Sequence, residues 1–347
     1  MKNLNRYLIL LLIFLIISLS LVEMTKKEIY TESDYIHSLK RVEEAFEEIK
    51  NYKLSNGIII DKSIDINETG ILGPEFNGLT TTLGSLESKR TATNPELVIA
   101  IIKEIEKLNL KEGDHVAINM SGSFPTINIM TIIAIEDMNL KPVIISSIGS
   151  SNYGANDPEL VYFDMENLLY EKALINHKSI AISSGGDRDL GLNMDSKMLK
   201  KIVDRIDVDY IYIEDLDENI DYRYSIYRSY DPKAFINIGG NLVSFGLNSK
   251  IPINKSGVLD RLPINDDSNG LSQKFLKDNI KVLNILNIKD LAHRYDIPID
   301  PIPIPRIDSD YRNIVYVYDK FLISFSLIIA IFMIIVISYK RKNKSII

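Results

Sequence analysis

Two apolar runs without a charged residue, Leu8 to Val22 and Phe321 to Tyr339, bracket the chain and restrict its possible folds more than any average over its 347 residues. A helix of the 19 residues in the second run, rising ~1.5 Å per residue, nearly crosses a hydrocarbon core of ~30 Å. This run predicts a transmembrane helix over residues 319–339, followed by a basic tail, 340–347. The first run is shorter, at 15 residues, and contains Ser18-Leu19-Ser20, a small-x-small cleavage pattern. We read it as a signal-anchor over residues 7–23, with a removed signal peptide as the competing reading. Lys2 and Arg6 precede the first run, and Lys340, Arg341, Lys342 and Lys344 follow the second. Positive flanks stay on the cytoplasmic side. The expectation is a cell-membrane protein, two-pass or single-pass if the first segment is removed, with residues 1–6 and the tail cytoplasmic and the body extracytoplasmic.

All 47 carboxylates and 34 of the 40 Lys and Arg lie between the two runs, so that segment carries a formal charge of −13. A surface this acidic argues against nucleic acid as a partner, and it repels acidic polymers except at a local basic site. The absence of Cys excludes disulfide frameworks and every thiolate mechanism.

Glu28 to Lys50 reads as a charged helix with Tyr35, Leu39, Val42, Phe46 and Ile49 at heptad spacing. It is expected to form a stalk over residues 24–55, packed on the body or on a second copy. Residues 56–296 alternate short β-rich runs with helical stretches. Strands are expected at His115 to Asn119, Pro142 to Ile148, Ser179 to Ser183, Tyr210 to Ile213 and Ala234 to Ile238. Pro95 to Leu108 has one apolar face, with Asn94 placed to cap it. Pro125 to Met138 is apolar nearly all round and predicts a buried helix. Leu271 to Leu286 and Lys289 to Tyr295 also look helical. This alternation defines an α/β fold, a mostly parallel sheet with helices on both faces. Pro298, Pro301, Pro303 and Pro305 stiffen a connector, 297–318, toward the second apolar run.

Several expected strands end in small polar loops: Ser121-Gly122-Ser123, Gly149 to Asn156, Ser183 to Asp187 and Gly239-Gly240-Asn241. Loops at the carboxyl ends of parallel strands share one rim, where ligands bind. Ser121 to Ser123, leading into Pro125, offers backbone N–H groups to an anion, or forms an ordinary turn and cap. Thr80 to Thr91 is rich in hydroxyls and carries Lys89 and Arg90. It suits a carboxylate-rich ligand, a hydroxyl nucleophile beside Lys89, or a plain solvated loop. Gly186-Asp187-Arg188-Asp189 is not an EF-hand, since Leu192 and Met198 stand where Gly and Glu are needed. Its aspartates are expected to cap the next helix, with acid or base work as the minor alternative. His37, His115, His177 and His293 are scattered, so no metal is assigned. GxGxxG, GxxxxGK[ST] and GxSxG are all missing, and no cofactor is assigned.

Gly78-Leu79-Thr80-Thr81-Thr82-Leu83-Gly84-Ser85-Leu86-Glu87, Lys89-Arg90-Thr91, Thr93-Asn94-Pro95, Ser121 to Pro125, Ile144 to Gly149, Ser151 to Pro158 and Asn237-Ile238-Gly239-Gly240 together resemble the poly-γ-glutamate system protein family, in the same order, over roughly residues 56–306. The resemblance implies a membrane-tethered accessory component of the machinery that makes and exports poly-γ-glutamate, a polymer with one free carboxylate per unit. It brings no catalytic assignment, and whether the chain is an enzyme stays open. The leading expectation is a body that binds the polymer, γ-glutamyl oligomers or another membrane subunit. The binding residues would be Lys89, Arg90, Ser121, Gly122, Ser123, Asn152, Asn156 and Arg188. The rival is an extracytoplasmic amide hydrolase or transferase with a hydroxyl nucleophile among Thr80 to Thr82, Ser85 and Ser121, and Lys89 or Asp187 as base. Within that set Thr81, Ser85, Ser121 and Asp187 are the catalytic candidates. Binding of a sugar phosphate is a third possibility, by analogy of the Ser-Gly-Ser turn alone.

Overall fold

The computed structural model describes residues 2–32, 35–252, 254, 256–305 and 312–344. Residues 306–311 of the expected connector and 345–347 of the tail lie outside the described residues. The chain divides into two compact units, one made of residues 1–34 and 308–347, the other of residues 35–307.

In the first unit, a helix at Lys2–Met24 and another at Lys320–Lys344 contact one another. Their segments Arg6–Met24 and Lys320–Lys340 are long and apolar enough to cross a membrane. Lys27–Glu32 pairs antiparallel with Arg312–Val317, Lys27 opposite Val317 and Glu32 opposite Arg312. At the other end of the helix pair the Lys340 ammonium donates to the Tyr7 hydroxyl at 2.7 Å and sits 4.2 Å from its ring. The expected stalk over residues 24–55 is therefore split. Ile29, Tyr30 and Thr31 favour an extended chain once a partner strand satisfies their backbone groups, and that partner lies almost 300 residues away in sequence.

The second unit is built on a seven-stranded sheet. Its strands are β1 (His115–Ser121), β2 (Lys141–Ser147), β3 (Ala181–Ser183), β4 (Asp209–Ile211), β5 (Ala234–Ile238), β6 (Gly257–Leu259) and β7 (Lys281–Ile285), in the spatial order β6-β7-β5-β1-β2-β3-β4. All pairings are parallel except that of β6, which runs antiparallel at the edge. The chain steps outward from β1 to β4, then returns to the other side of β1 as β5. The order reverses between β1 and β5, and such a reversal opens a crevice at the carboxyl ends of the strands.

Around the sheet lie α1 (Ile36–Ser55), α2 (Leu86–Thr91), α3 (Leu97–Glu106), α4 (Pro125–Asp137), α5 (Tyr162–Glu171), α6 (Ser196–Val203), α7 (Leu216–Arg228), α8 (Leu242–Phe245), α9 (Leu271–Lys277) and α10 (Ile288–Arg294). Alternate strand residues point to opposite faces. On one face Ala117, Val143, Phe235 and Val282 pack with Ile220 and Tyr227 of α7 and Phe275 of α9, the Phe235 and Phe275 rings stacked at 4.6 Å. On the other, Val116, Ile118, Met120 and Ile144 are buried, and α4 contacts β2, α3 and α1 while buried from Pro125 to Ile135. Leu39, Val42, Phe46 and Ile49 of α1 are buried too, so the heptad stripe belongs to the core of the body. The expected helix Leu271 to Leu286 ends at Lys277. Asn279 takes a left-handed conformation (φ 60°), and Lys281–Ile285 continues as β7 beside β5.

Candidate functional site

Four strand ends and two further segments enclose a cleft of about 390 Å³ at this reversal. Ser121 and Ser123 follow β1, Ser147 and Gly149 end β2, and Gly186 and Asp187 follow β3. Gly240, Asn241 and Leu242 lead from β5 into α8. Thr81, Thr82 and Asn193 close the remaining wall. The polar loops named from the sequence thus do converge. Their closeness requires glycine: Gly239 is left-handed (φ +96°), and a Cβ on it would lie 2.6 Å from Ser121 Oγ. Asp187 is the one charged residue among those lining the cleft, so the surface is rich in hydrogen-bonding groups and poor in charge.

Beneath the cleft lies a buried polar network. Asn119, Asn237 and Asn284 stand level with one another on β1, β5 and β7. Arg223 of α7 donates through Nε to Asn219 Oδ1 (2.9 Å) and through a terminal nitrogen to Asn119 Oδ1 (3.1 Å), and it is ion-paired with Asp189. Asp189 also accepts from Ser183 Oγ (2.7 Å) and Asn219 Nδ2 (3.0 Å). Asn119 in turn donates to Ser244 Oγ (2.8 Å) and Asn241 Oδ1 (3.2 Å), which ties the network to the cleft lining. Both partners of the ion pair are almost fully buried, and such a pair persists only when hydrogen bonds complete its shell. Because the pair is neutral as a unit, the cleft floor gains rigidity without a strong field.

The structure redistributes the expected site residues. Thr81, Ser121, Ser123 and Asp187 line the cleft. Ser121 Oγ accepts from the Ser123 N–H at 3.2 Å, and Thr81 Oγ1 donates to the Ser150 carbonyl at 3.1 Å. Ser85 is an exposed N-cap of α2, away from the lining. Gly122 is packed under the Ile148 to Ala155 loop, its carbonyl accepting from the Ala155 N–H at 2.9 Å and Ser150 Oγ at 3.0 Å. Asn152 accepts from the Gly84 N–H, and Asn156 donates to the Pro74 carbonyl (3.0 Å) and Thr80 Oγ1 (2.9 Å). Both amides are buried and staple loops together. Arg90 donates to the carbonyls of Ile64 (2.7 Å) and Ser63 (2.8 Å), so it clamps the loop that precedes the hydroxyl-rich block. Arg188 is exposed one residue beyond the lining. Asp187 and Asp189 cap no helix: Asp195 caps α6, accepting from the N–H groups of Lys197 (3.0 Å) and Met198 (2.9 Å).

Lys89 departs furthest from expectation. Instead of facing solvent it is 2 % exposed, turned inward from α2. Its ammonium donates to the Ser123 carbonyl and to Ser151 Oγ (2.8 Å) and lies 4.0 Å from the centre of the Phe124 ring. Burial pushes its pKa down to about 7. A second buried group went unread in the sequence. Glu166 of α5 accepts from the Ser179 N–H (2.9 Å), Ser179 Oγ (3.0 Å) and Tyr162 OH (3.3 Å), and burial pushes it up to about 7. Asn119, Asn237 and Asn284 did leave a signal, each being a polar residue inside an apolar strand. Among the described residues, no group of three or more His, Asp or Glu side chains is placed to hold a metal ion.

Fold and site define an α/β body with a polar cleft at the strand-order reversal, carried between two helices able to cross a membrane. Comparison with protein-family models, with curated proteins and with solved structures gives no match.

Proposed function

We propose that the chain is a two-pass membrane protein of a poly-γ-glutamate synthesis and export system, with an extracytoplasmic body that binds the polymer in the cleft. The observation that carries this reading is the chemistry of the lining: hydroxyls, two asparagines and glycine backbone at the strand-order reversal, with Asp187 as its one charge. Such a surface suits the amide groups of a polyamide chain, whose carboxylates stay in water, and it does not depend on neutralising them. Arg188, exposed beside Asp187, is the cation placed for a passing carboxylate. Neither Lys89 nor Arg90 offers the polymer a free donor, since the Lys89 ammonium is held by Ser123 and Ser151 and the Arg90 guanidinium by Ser63 and Ile64.

Gly240 provides a clean test. It lines the cleft, and a Cβ added to it meets nothing within 4 Å, so a larger side chain enters open space without strain. Gly240→Leu is expected to weaken binding of γ-linked glutamate oligomers to the detergent-solubilised chain more than tenfold while its melting temperature is kept. Arg188→Ala is expected to weaken binding a few-fold and to reduce its salt dependence. Oligomer binding that Gly240→Leu leaves unchanged would place the polymer elsewhere. No binding at all would favour another membrane subunit as the partner.

A further inference from the structure

A nucleophile and a base meet beside the cleft. Ser151 Oγ accepts from the Lys89 ammonium at 2.8 Å, and both side chains are buried, 5 % and 2 % exposed. Among the described residues no carboxylate is ion-paired with Lys89, and its burial holds the amine near the point where it loses its proton at neutral pH. A lysine kept in place only to neutralise charge needs an anion, which this one lacks. A lysine that takes a proton from a hydroxyl needs what is found here: a dry setting, a serine at hydrogen-bond distance, and neighbours that fix its direction. The Ser123 carbonyl and the Phe124 ring do the fixing. Ser151 is anchored in turn, its N–H donating to Ser123 Oγ at 3.0 Å, and Ser123 lines the cleft.

Access to the pair runs over Gly84. A Cβ on Gly84 would lie 3.1 Å from Ser151 Oγ, 3.2 Å from Lys89 Cε and 3.3 Å from Asn152 Oδ1. Gly84 is half-buried between Leu83 and Ser85, both exposed. Gly84 thus lies against both groups and presents no side chain there.

We propose that Ser151 and Lys89 form an acyl-transfer centre in which Ser151 is the nucleophile and Lys89 the general base, acting on the carbonyl of a carboxylic amide that approaches over Gly84. The neutral amine takes the hydroxyl proton as Oγ bonds to the carbonyl carbon. The C–N bond then breaks, with the proton passing from the lysine ammonium to the departing amine. Water attacks the resulting ester with Lys89 again accepting a proton, the Ser151 Oγ–C bond breaks, and the proton returns to Oγ as the acid leaves. Neither an oxidant nor a metal enters the balance.

The centre is independent of what the cleft binds, and it is tested with a small alkyl fluorophosphonate, which forms a phosphorus–oxygen bond with an activated serine and releases fluoride. The full chain in detergent is treated and mapped by peptide mass spectrometry. The expected result is a single adduct on Ser151, formed at a rate that rises with pH through the neutral range as Lys89 loses its proton. Lys89→Met is expected to slow labelling at least tenfold, and Gly84→Ala, whose Cβ comes within 3.1 Å of Ser151 Oγ and 3.2 Å of Lys89 Cε so that these neighbours must give by a few tenths of an ångström, to slow it severalfold with the fold intact by circular dichroism. If Lys89→Met does not fold, the pH profile and Gly84→Ala decide the matter. Absence of an adduct on Ser151, or labelling that neither pH nor Gly84→Ala alters, overturns the proposal.

Discussion

Lys89 and Glu166 show how far burial can turn a residue away from the role its type suggests. A lysine beside an arginine in a hydroxyl-rich stretch reads as a cation offered to solvent, yet the helical turn of α2 points Lys89 inward and Arg90 along the surface. Adjacent residues on a helix lie about 100° apart, and the sequence does not say which of the two faces in. Glu166 allows a test of the same energetics. Its ordinary carboxyl value is 4.5, and in the folded chain it is raised to about 7. Between these values the folded state keeps a proton that the unfolded state has released. The contribution of Glu166 to stability is therefore greatest below about pH 4.5 and is lost as pH rises through about 7. The loss is on the order of 3 kcal/mol. Glu166→Gln cannot titrate, so urea midpoints of the two proteins are expected to diverge in the variant's favour between pH 5 and pH 8.5. A difference that stays constant over that range would mean that Glu166 is ionised throughout.

At the scale of elements, the central strands were legible because each is a short apolar run bounded by Gly, Asn or Asp. Segments decided by a distant partner were not. Lys27–Glu32 is too polar to declare itself, and Lys281–Ile285 looked like the end of a helix until β5 and β6 supplied its pairing. The convergence of loops on a cleft was legible from the α/β alternation. The network beneath it was not, since Asp189, Arg223 and Asn119 are joined only by the fold. This network makes α7 and the turn after β3 a single mechanical unit, and their coupling is measurable. Removing one partner of a buried pair leaves a bare charge and costs roughly 3–5 kcal/mol, whereas removing both costs less than the sum. Arg223→Met and Asp189→Asn are each expected to destabilise the chain by that order, asparagine being chosen because Asp189 is left-handed (φ 68°). Urea unfolding of the double variant is expected to fall short of additivity by more than about 1 kcal/mol, as contacting residues do. Additive losses would mean that the two side chains act separately.

For the whole molecule, the sequence located the two apolar runs, and the structure adds that they are neighbours. The terminal helices contact one another, Lys340 reaches Tyr7 at one end, and the ribbon of Lys27–Glu32 with Arg312–Val317 joins the chain at the other. The two helices run antiparallel, which brings Tyr7 and Lys340 to the same end of the pair. Lys2 and Arg6 lie in the first turns of the first helix and Lys340 to Lys344 in the last turns of the second, and on the proposed two-pass reading these positive ends stay in the cytoplasm. On the two-pass reading Tyr7 stays beside Lys340, whereas removal of a signal peptide after Ser20 would take Tyr7 away. A reporter active only in the cytoplasm is therefore expected to work when fused after Ile347 and to fail when inserted near Asn265, while N-terminal sequencing of the membrane-extracted chain finds the segment before Leu8 intact. Activity of the Asn265 insertion would reverse the topology and with it any role for the body on an exported polymer. A mature chain beginning after Ser20 would leave the body outside but held by one helix, with the Lys340 ammonium deprived of the ring it now faces.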